Sequence, residues 1–330
     1  MRRVLLRSLL LCCLPLCAPL SALAAPAKPA HPFLYERTAM LPTRTGTLYG
    51  ALLVPRTPRP LPAVLLVPGS GPTDRDGNFP QLKGVNNSLK LLAEALARAG
   101  VASLRYDRRG IAASAAALPD ESALRVEAYA DDAAGWVRQL RRDRRFSRIV
   151  VVGYSEGLLP AMLATRQAKA DAFVALAGPA RAADDVLREQ LRGKLEPGAA
   201  EELEATLQAL REGRAAPVQS PALALLLRPS IQPYLMSQLR YNPADVFGTL
   251  TMPVLIAQGT SDVQVSSGDA MALQGARPDA KLVAVDGMNH IFKMVGAEKS
   301  LQMQSYSRPD LPVSTELVGA LADFARAPRR

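Results

Sequence analysis

The sequence predicts an α/β chain built on a mostly parallel sheet covered by helices on both faces. Three observations predict it. Short continuous apolar runs, such as Ala63 to Val67 and Val254 to Gln258, read as strands buried on both sides. Stretches with helical apolar spacing separate those runs, giving strand–helix alternation. The Gly-, Ser-, Asp- and His-bearing segments all follow predicted strands, where such sheets bind their ligands.

The first 24 residues stand apart from this pattern. Arg2, Arg3 and Arg7 precede an uncharged apolar run from Leu9 to Leu20, and Ala22-Leu23-Ala24 offers the small residues a signal peptidase reads. The run is shorter than the roughly 20 residues a membrane span needs. Residues 1–24 are therefore expected to be a signal peptide cleaved after Ala24, directing the chain to the periplasm or outside the cell, with no stable membrane insertion afterwards. Cys12, Cys13 and Cys17 are the chain's three cysteines, so the mature form would have neither a disulfide nor a thiolate metal site. Loss of the leader removes three arginines and no acids, lowering the formal net charge from +10 to +7. The remaining basic residues are spread out. The densest group, Arg138 to Arg148, reads as the exposed face of a helix, and no aromatic residues interleave with it as in nucleic-acid platforms.

Residues 25–35 read as a Pro- and Ala-rich flexible spacer. From Glu36 to Val54, two strand-like runs flank the turn Arg44-Thr45-Gly46-Thr47, predicting an antiparallel hairpin. Alternation follows: strand Ala63 to Val67, a helix from Asn87 or Ser88 closed by Gly100, strand Val101 to Tyr106, helix Leu124 to Leu140, strand Arg148 to Val152, helix Glu156 to Gln167, and strand Ala172 to Ala177. Residues 180–245 break the rhythm with short helical pieces and Pro221, Pro229 and Pro233, and read as a helical cap insertion. Alternation resumes with strand Val254 to Gln258, a helix near Asp269 to Leu273, strand Leu282 to Val285 and a last helix from Ser314 to Phe324. The core is thus expected in residues 36–179 and 246–330.

Gly153-Tyr154-Ser155-Glu156-Gly157 lies between a strand and a helix. Glycines two residues either side allow the sharp turn that lifts a serine hydroxyl clear of a sheet. Such a hydroxyl needs a base, and histidine is the usual one. The chain has two histidines: His31 in the spacer, a poor candidate, and His290, in a loop past a strand end. A carboxylate must orient the imidazole. Asp262, in Gly259-Thr260-Ser261-Asp262, follows a strand and lies between serine and histidine in the chain. It is also a plausible turn residue. Asp184 and Asp185 are alternative acids, and Asp286 sits uncomfortably close to His290.

The order Ser155, Asp262, His290 is the one α/β-hydrolases use. With Pro68-Gly69-Ser70-Gly71-Pro72, Asp74-Arg75-Asp76-Gly77, Asp107-Arg108-Arg109-Gly110, Gln258-Gly259-Thr260-Ser261-Asp262-Val263-Gln264-Val265 and Gly287-Met288-Asn289-His290, the chain resembles the α/β-hydrolase superfamily, specifically bacterial esterases related to serine-aminopeptidase-like hydrolases. The resemblance covers nearly all of the mature chain. It implies catalytic Ser155, Asp262 and His290, and an oxyanion hole from the backbone N–H groups of Glu156 and of Ser70, with Gly71 the alternative to Ser70. It implies cleavage of a small-molecule carboxylic ester through an acyl-enzyme, without metal or organic cofactor. A peptidase or amidase of the same fold, and a non-catalytic binding protein, are the alternatives. Asp74, Arg75 and Asp76 would either line the pocket mouth or form an ion-paired loop. The resemblance does not specify the acyl group or the oligomeric state.

Overall fold

The computed structural model describes residues 34–80, 83–296 and 298–328. The segment expected to be a signal peptide, the three cysteines, His31 and most of the expected spacer lie outside the described residues. The hairpin is present as β1 (Leu34–Pro42) and β2 (Thr47–Pro55), paired antiparallel from Leu34 with Pro55 to Pro42 with Thr47. Thr43 closes its turn, both its N–H and its hydroxyl donating to the Gly46 carbonyl.

Six more strands complete one sheet: β3 (Leu61–Val67), β4 (Ala102–Tyr106), β5 (Phe146–Tyr154), β6 (Ala172–Leu176), β7 (Val254–Gly259) and β8 (Lys281–Val285). Their order is β1-β2-β4-β3-β5-β6-β7-β8. β2 meets β4 antiparallel, and every pairing from β4 to β8 is parallel. Side chains alternate between faces along a strand, so each central strand feeds two cores. Leu65 and Val151 enter one with Trp136 and Phe173, whereas Val64, Leu66, Val150 and Val152 enter the other. This double burial is why the central strands read as unbroken apolar runs.

Helices cover the faces. They are α1 (Ser88–Arg98), α2 (Val126–Arg142), α3 (Leu158–Ala168), α4 (Ala183–Leu191), α5 (Pro197–Arg211), α6 (Pro221–Ala224), α7 (Gln232–Gln238), α8 (Pro243–Gly248), α9 (Ser267–Ala276), α10 (Lys299–Ser305) and α11 (Thr315–Arg326). Leu89, Leu92 and Leu96 of α1 pack with Leu317 and Leu321 of α11 on one face, while α2 and α3 serve the other. The stretch from α4 to α8 holds an apolar cluster of its own, in which Leu203, Leu207, Leu210, Leu223 and Leu227 are buried together. Among the described residues no helix is long and apolar enough to cross a membrane.

Two sequence expectations need correction, and one helix was not expected. The basic run is not one exposed helical face: α2 ends at Arg142, and Arg148 is buried on β5, its guanidinium donating to the Ala327 and Pro328 carbonyls. The helix after Ser155 begins at Leu158, because Ser155–Gly157 forms a tighter 3₁₀ turn. The seven-residue α10 escaped prediction because so short a helix presents too few turns for its apolar spacing to stand out.

The glycines of the serine turn permit close packing. A Cβ on Gly157 would lie 2.3 Å from the Pro68 carbonyl oxygen, and one on Gly153 would lie 2.8 Å from Cα of Leu158. Gly157→Ala is therefore expected to lower stability by about 1–3 kcal/mol through overpacking. Gly319→Ala, on α11 with nothing within 4 Å of the added Cβ, should instead stabilise by up to about 1 kcal/mol through helix propensity. Denaturant midpoints check both; a Gly157→Ala midpoint at or above wild type would contradict the packing argument.

Candidate active site

Ser155 occupies the turn between β5 and α3 with φ of 54°, in the left-handed region that non-glycine residues rarely adopt. Such strain persists only where the surroundings impose it. Here β5 pairs on both sides, with β3 and β6, and α3 starts directly after the turn. The turn projects the hydroxyl beyond the sheet's carboxyl edge.

The loops after β7 and β8 meet it there. His290 Nε2 lies 3.1 Å from Ser155 Oγ, and His290 Nδ1 lies 2.8 Å from Asp262 Oδ2. Asp262 is fully buried and His290 nearly so. Asp262 Oδ1 also accepts from the N–H groups of Gln264 (2.8 Å) and Val265 (3.0 Å), while Gln258 Nε2 reaches Oδ2 at 3.2 Å. Several donors thus converge on one buried carboxylate and fix its orientation. With the Nδ1 proton given to Asp262, the Nε2 lone pair faces the serine hydroxyl.

The two loops fit closely. A Cβ on Gly259 would lie 2.1 Å from the Met288 carbonyl oxygen, so only glycine lets the acid loop pass the histidine loop. Ser261 N–H donates to that same carbonyl at 3.1 Å. Asn289, buried, holds the histidine loop from beside His290: its amide donates to Ser305 Oγ, and its side-chain oxygen accepts from Lys293 N–H. Tyr154 flanks the imidazole, ring centres 5.2 Å apart.

The structure thus brings Ser155, Asp262 and His290 together and leaves the other acids elsewhere. Asp184 is buried in α4 against Arg188 and Arg211, Asp185 pairs with Arg188, and Asp286 accepts from Thr260 Oγ1. Asp74, Arg75 and Asp76 form the ion-paired loop. Asp74 accepts from the Asp76 and Asn78 N–H groups, Arg75 pairs with Asp107 at 2.8 Å, and Asp76 pairs with buried Arg105 at 2.8 Å. The loop after β3 approaches the serine through Gly69, where a Cβ would lie 3.0 Å from Ser155 Cβ. Ser70 follows directly. Among the described residues neither the Ser70 nor the Glu156 N–H donates to a protein acceptor.

Several polar residues here escaped the sequence reading. Glu156 is expected to act through its N–H, and its carboxylate also accepts from Tyr234 Oη (2.5 Å) and Gln238 Nε2 (2.9 Å) of α7. Arg108 donates to the Gly71 carbonyl at 2.6 Å and lies 4.7 Å over the Tyr129 ring. Burial opposes its charge most strongly, but Tyr129, Glu156, Tyr234 and Tyr106 together outweigh that and hold the guanidinium protonated. Gln258 alone left a sequence signal, a polar residue closing an otherwise apolar strand.

The alpha/beta hydrolase family profile matches residues 64–298. The chain belongs to that family. It is similar to Esterase EstD of Thermotoga maritima, 31% identical over 249 residues that make up 74% of this chain, and it spans 58% of that relative's length. Solved structures share the fold. Est1E from Butyrivibrio proteoclasticus superposes with a TM-score of 0.55 at 18% identity, covering 87% of this chain and 96% of its own. A thermophilic esterase from Thermogutta terrifontis gives 0.52 at 18%, covering 88% and 98%.

Lys293, three residues past His290, is fully buried and donates to the carbonyls of Asn86 (3.0 Å) and Arg308. Burial pushes its ammonium down to about 8. As pH rises the folded chain releases this proton before the unfolded chain does, whose lysines titrate near ~10.4. The unfolded state therefore binds more protons across that window, and the residue's contribution to unfolding free energy rises with pH from about 8 to 10.4. Urea midpoints of wild type and Lys293→Met at pH 7, 8.5 and 10 test this. The wild-type midpoint should gain on the variant as pH rises; a constant difference would contradict it.

Proposed function

We propose that this chain is a serine hydrolase that cleaves carboxylic esters of small molecules by two-step acyl transfer. The observation that carries the reading is the hydrogen-bonded series from Ser155 Oγ through His290 to Asp262. His290 takes the hydroxyl proton as Ser155 attacks the ester carbonyl, and Asp262 stabilises the resulting imidazolium. The oxyanion is held by the N–H groups of Glu156 and Ser70, donors of a kind whose single loss raises a barrier by ~3 kcal/mol. His290 then protonates the departing alcohol. Water, activated by the same imidazole, releases the acid from the acyl-enzyme. The serine proton leaves with the alcohol, and the attacking water restores it through His290.

The name carried by the Thermotoga maritima relative supports an ester substrate. Residues 180–245, lying between β6 and β7 with their own apolar cluster, are assigned the role of a cap over the pocket. The basic n-region, apolar run and Ala22-Leu23-Ala24 support export, with cleavage after Ala24.

Purified mature chain should hydrolyse p-nitrophenyl esters of short or medium acyl length, and amino-acid anilides far more slowly. Ser155→Ala and His290→Ala should each abolish turnover with an unchanged melt, and Asp262→Asn should lower kcat by about 10⁴-fold, as expected when the imidazole adopts the wrong tautomer. Faster cleavage of anilides than esters would reassign the chain as an amidase or peptidase. Wild-type rates in Ser155→Ala would refute acyl transfer altogether.

A further inference from the structure

Glu156 poses a physical problem. Its N–H is a free donor at the serine turn, in a short 3₁₀ stretch whose geometry makes weaker hydrogen bonds than an α-helix. Its side chain carries a negative charge one residue from the hydroxyl. A carboxylate left to swing there would satisfy the turn's free N–H groups itself, as acids do at helix starts. It would also repel the negative charge that acyl transfer develops.

The structure restrains that carboxylate. Two hydrogen bonds hold its Oε1, one from Tyr234 Oη and one from Gln238 Nε2, and Gln238 Nε2 also reaches Tyr234 Oη at 3.1 Å. Tyr234 and Gln238 are buried, one turn apart on α7. α7 is fixed in turn to the core. Ser237 Oγ, itself bonded to the Tyr234 carbonyl, accepts from Val126 N–H at the start of α2, and Tyr234 packs edge-on against Tyr129 of α2 at 5.5 Å. Arg108, over the Tyr129 ring, donates to the Gly71 carbonyl of the loop after β3. One buried polar cluster therefore touches both segments that flank the serine hydroxyl.

We propose that Tyr234 and Gln238 are positioning residues for acyl transfer: by gripping the Glu156 carboxylate they fix the peptide group whose N–H receives the oxyanion and keep the competing negative charge off it. The residues from 180 to 245 would then contribute to the rate of the chemical step as well as covering the site. This inference rests on the acyl-transfer reading above.

The test compares wild type with the double variant Tyr234→Phe/Gln238→Met, which removes both donors at nearly constant volume. The kinetic readout is kcat and KM on p-nitrophenyl acetate. The binding readout is the affinity of an aryl trifluoromethyl ketone, which becomes a tetrahedral oxyanion on Ser155, against that of the matching alcohol, which does not. The double variant should lose about 10- to 100-fold in kcat, part of the 10²–10³ that full loss of one oxyanion donor costs. KM and alcohol affinity should stay within about twofold, and ketone affinity should fall in parallel with kcat. Glu156→Leu, which removes the grip together with the charge it restrains, should lower kcat and ketone affinity in parallel, by less than the double variant does. If the double variant loses its cooperative melt, the single Tyr234→Phe and Glu156→Leu variants are read by the same criteria. A folded variant with wild-type kcat and ketone affinity would overturn the proposal, as would equal losses of ketone and alcohol affinity. Failure of the underlying reading is distinguishable: wild type would then not bind the ketone at all, and Ser155→Ala would keep its turnover.

Discussion

The arrangement depends on one backbone constraint, the left-handed turn that Ser155 adopts between β5 and α3. A side chain at φ of 54° costs free energy of order 1–3 kcal/mol, and the surrounding fold must impose it. The imposing parts are identifiable. Gly157 presses the turn against the Pro68 carbonyl, Gly153 lets α3 start directly over the strand, and Gly69 lies against the serine from the other side. Without those three absent side chains the hydroxyl would not stand free at the sheet edge, and nothing carried by the later loops would have a partner.

The second half of the site comes from elsewhere in the chain and depends on a similar fit. Parallel pairing of β6, β7 and β8 brings the loops after β7 and β8 to the same edge as the serine turn. Gly259 allows the two loops to cross, Gln258 and two backbone N–H groups hold the Asp262 carboxylate, and Asn289 and Lys293 brace the loop that carries His290. The imidazole is therefore oriented from several directions before any substrate arrives. That is the preorganisation on which proton transfer and charge stabilisation rely.

What the sequence made legible has a physical cause. Strands buried on both faces must be continuously apolar, and the steric demands of the serine turn leave glycines at fixed spacing, so β3 to β7 and Ser155 could be read directly. His290 is legible because the only other histidine, His31, lies in a Pro- and Ala-rich stretch ahead of the first predicted strand. The contacts that support these residues were not legible. Tyr234 and Gln238 reach Glu156 across 78 and 82 positions, from a seven-residue helix too short to show apolar periodicity. Arg148 looked like one more surface arginine in a basic run, and only its place on a central strand buries it. The Asp74–Asp76 loop was equally consistent with two roles until its partners, Asp107 and Arg105, were located.

The proposed acyl transfer requires that Ser155 become covalently acylated. Acid quenching within milliseconds of mixing with an activated ester, followed by intact-protein mass spectrometry and peptide mapping, tests it most directly. The predicted result is one acyl group per chain, mapped to Ser155 and absent from His290→Ala. Turnover with no covalent intermediate, or an acyl group on any other residue, would contradict it.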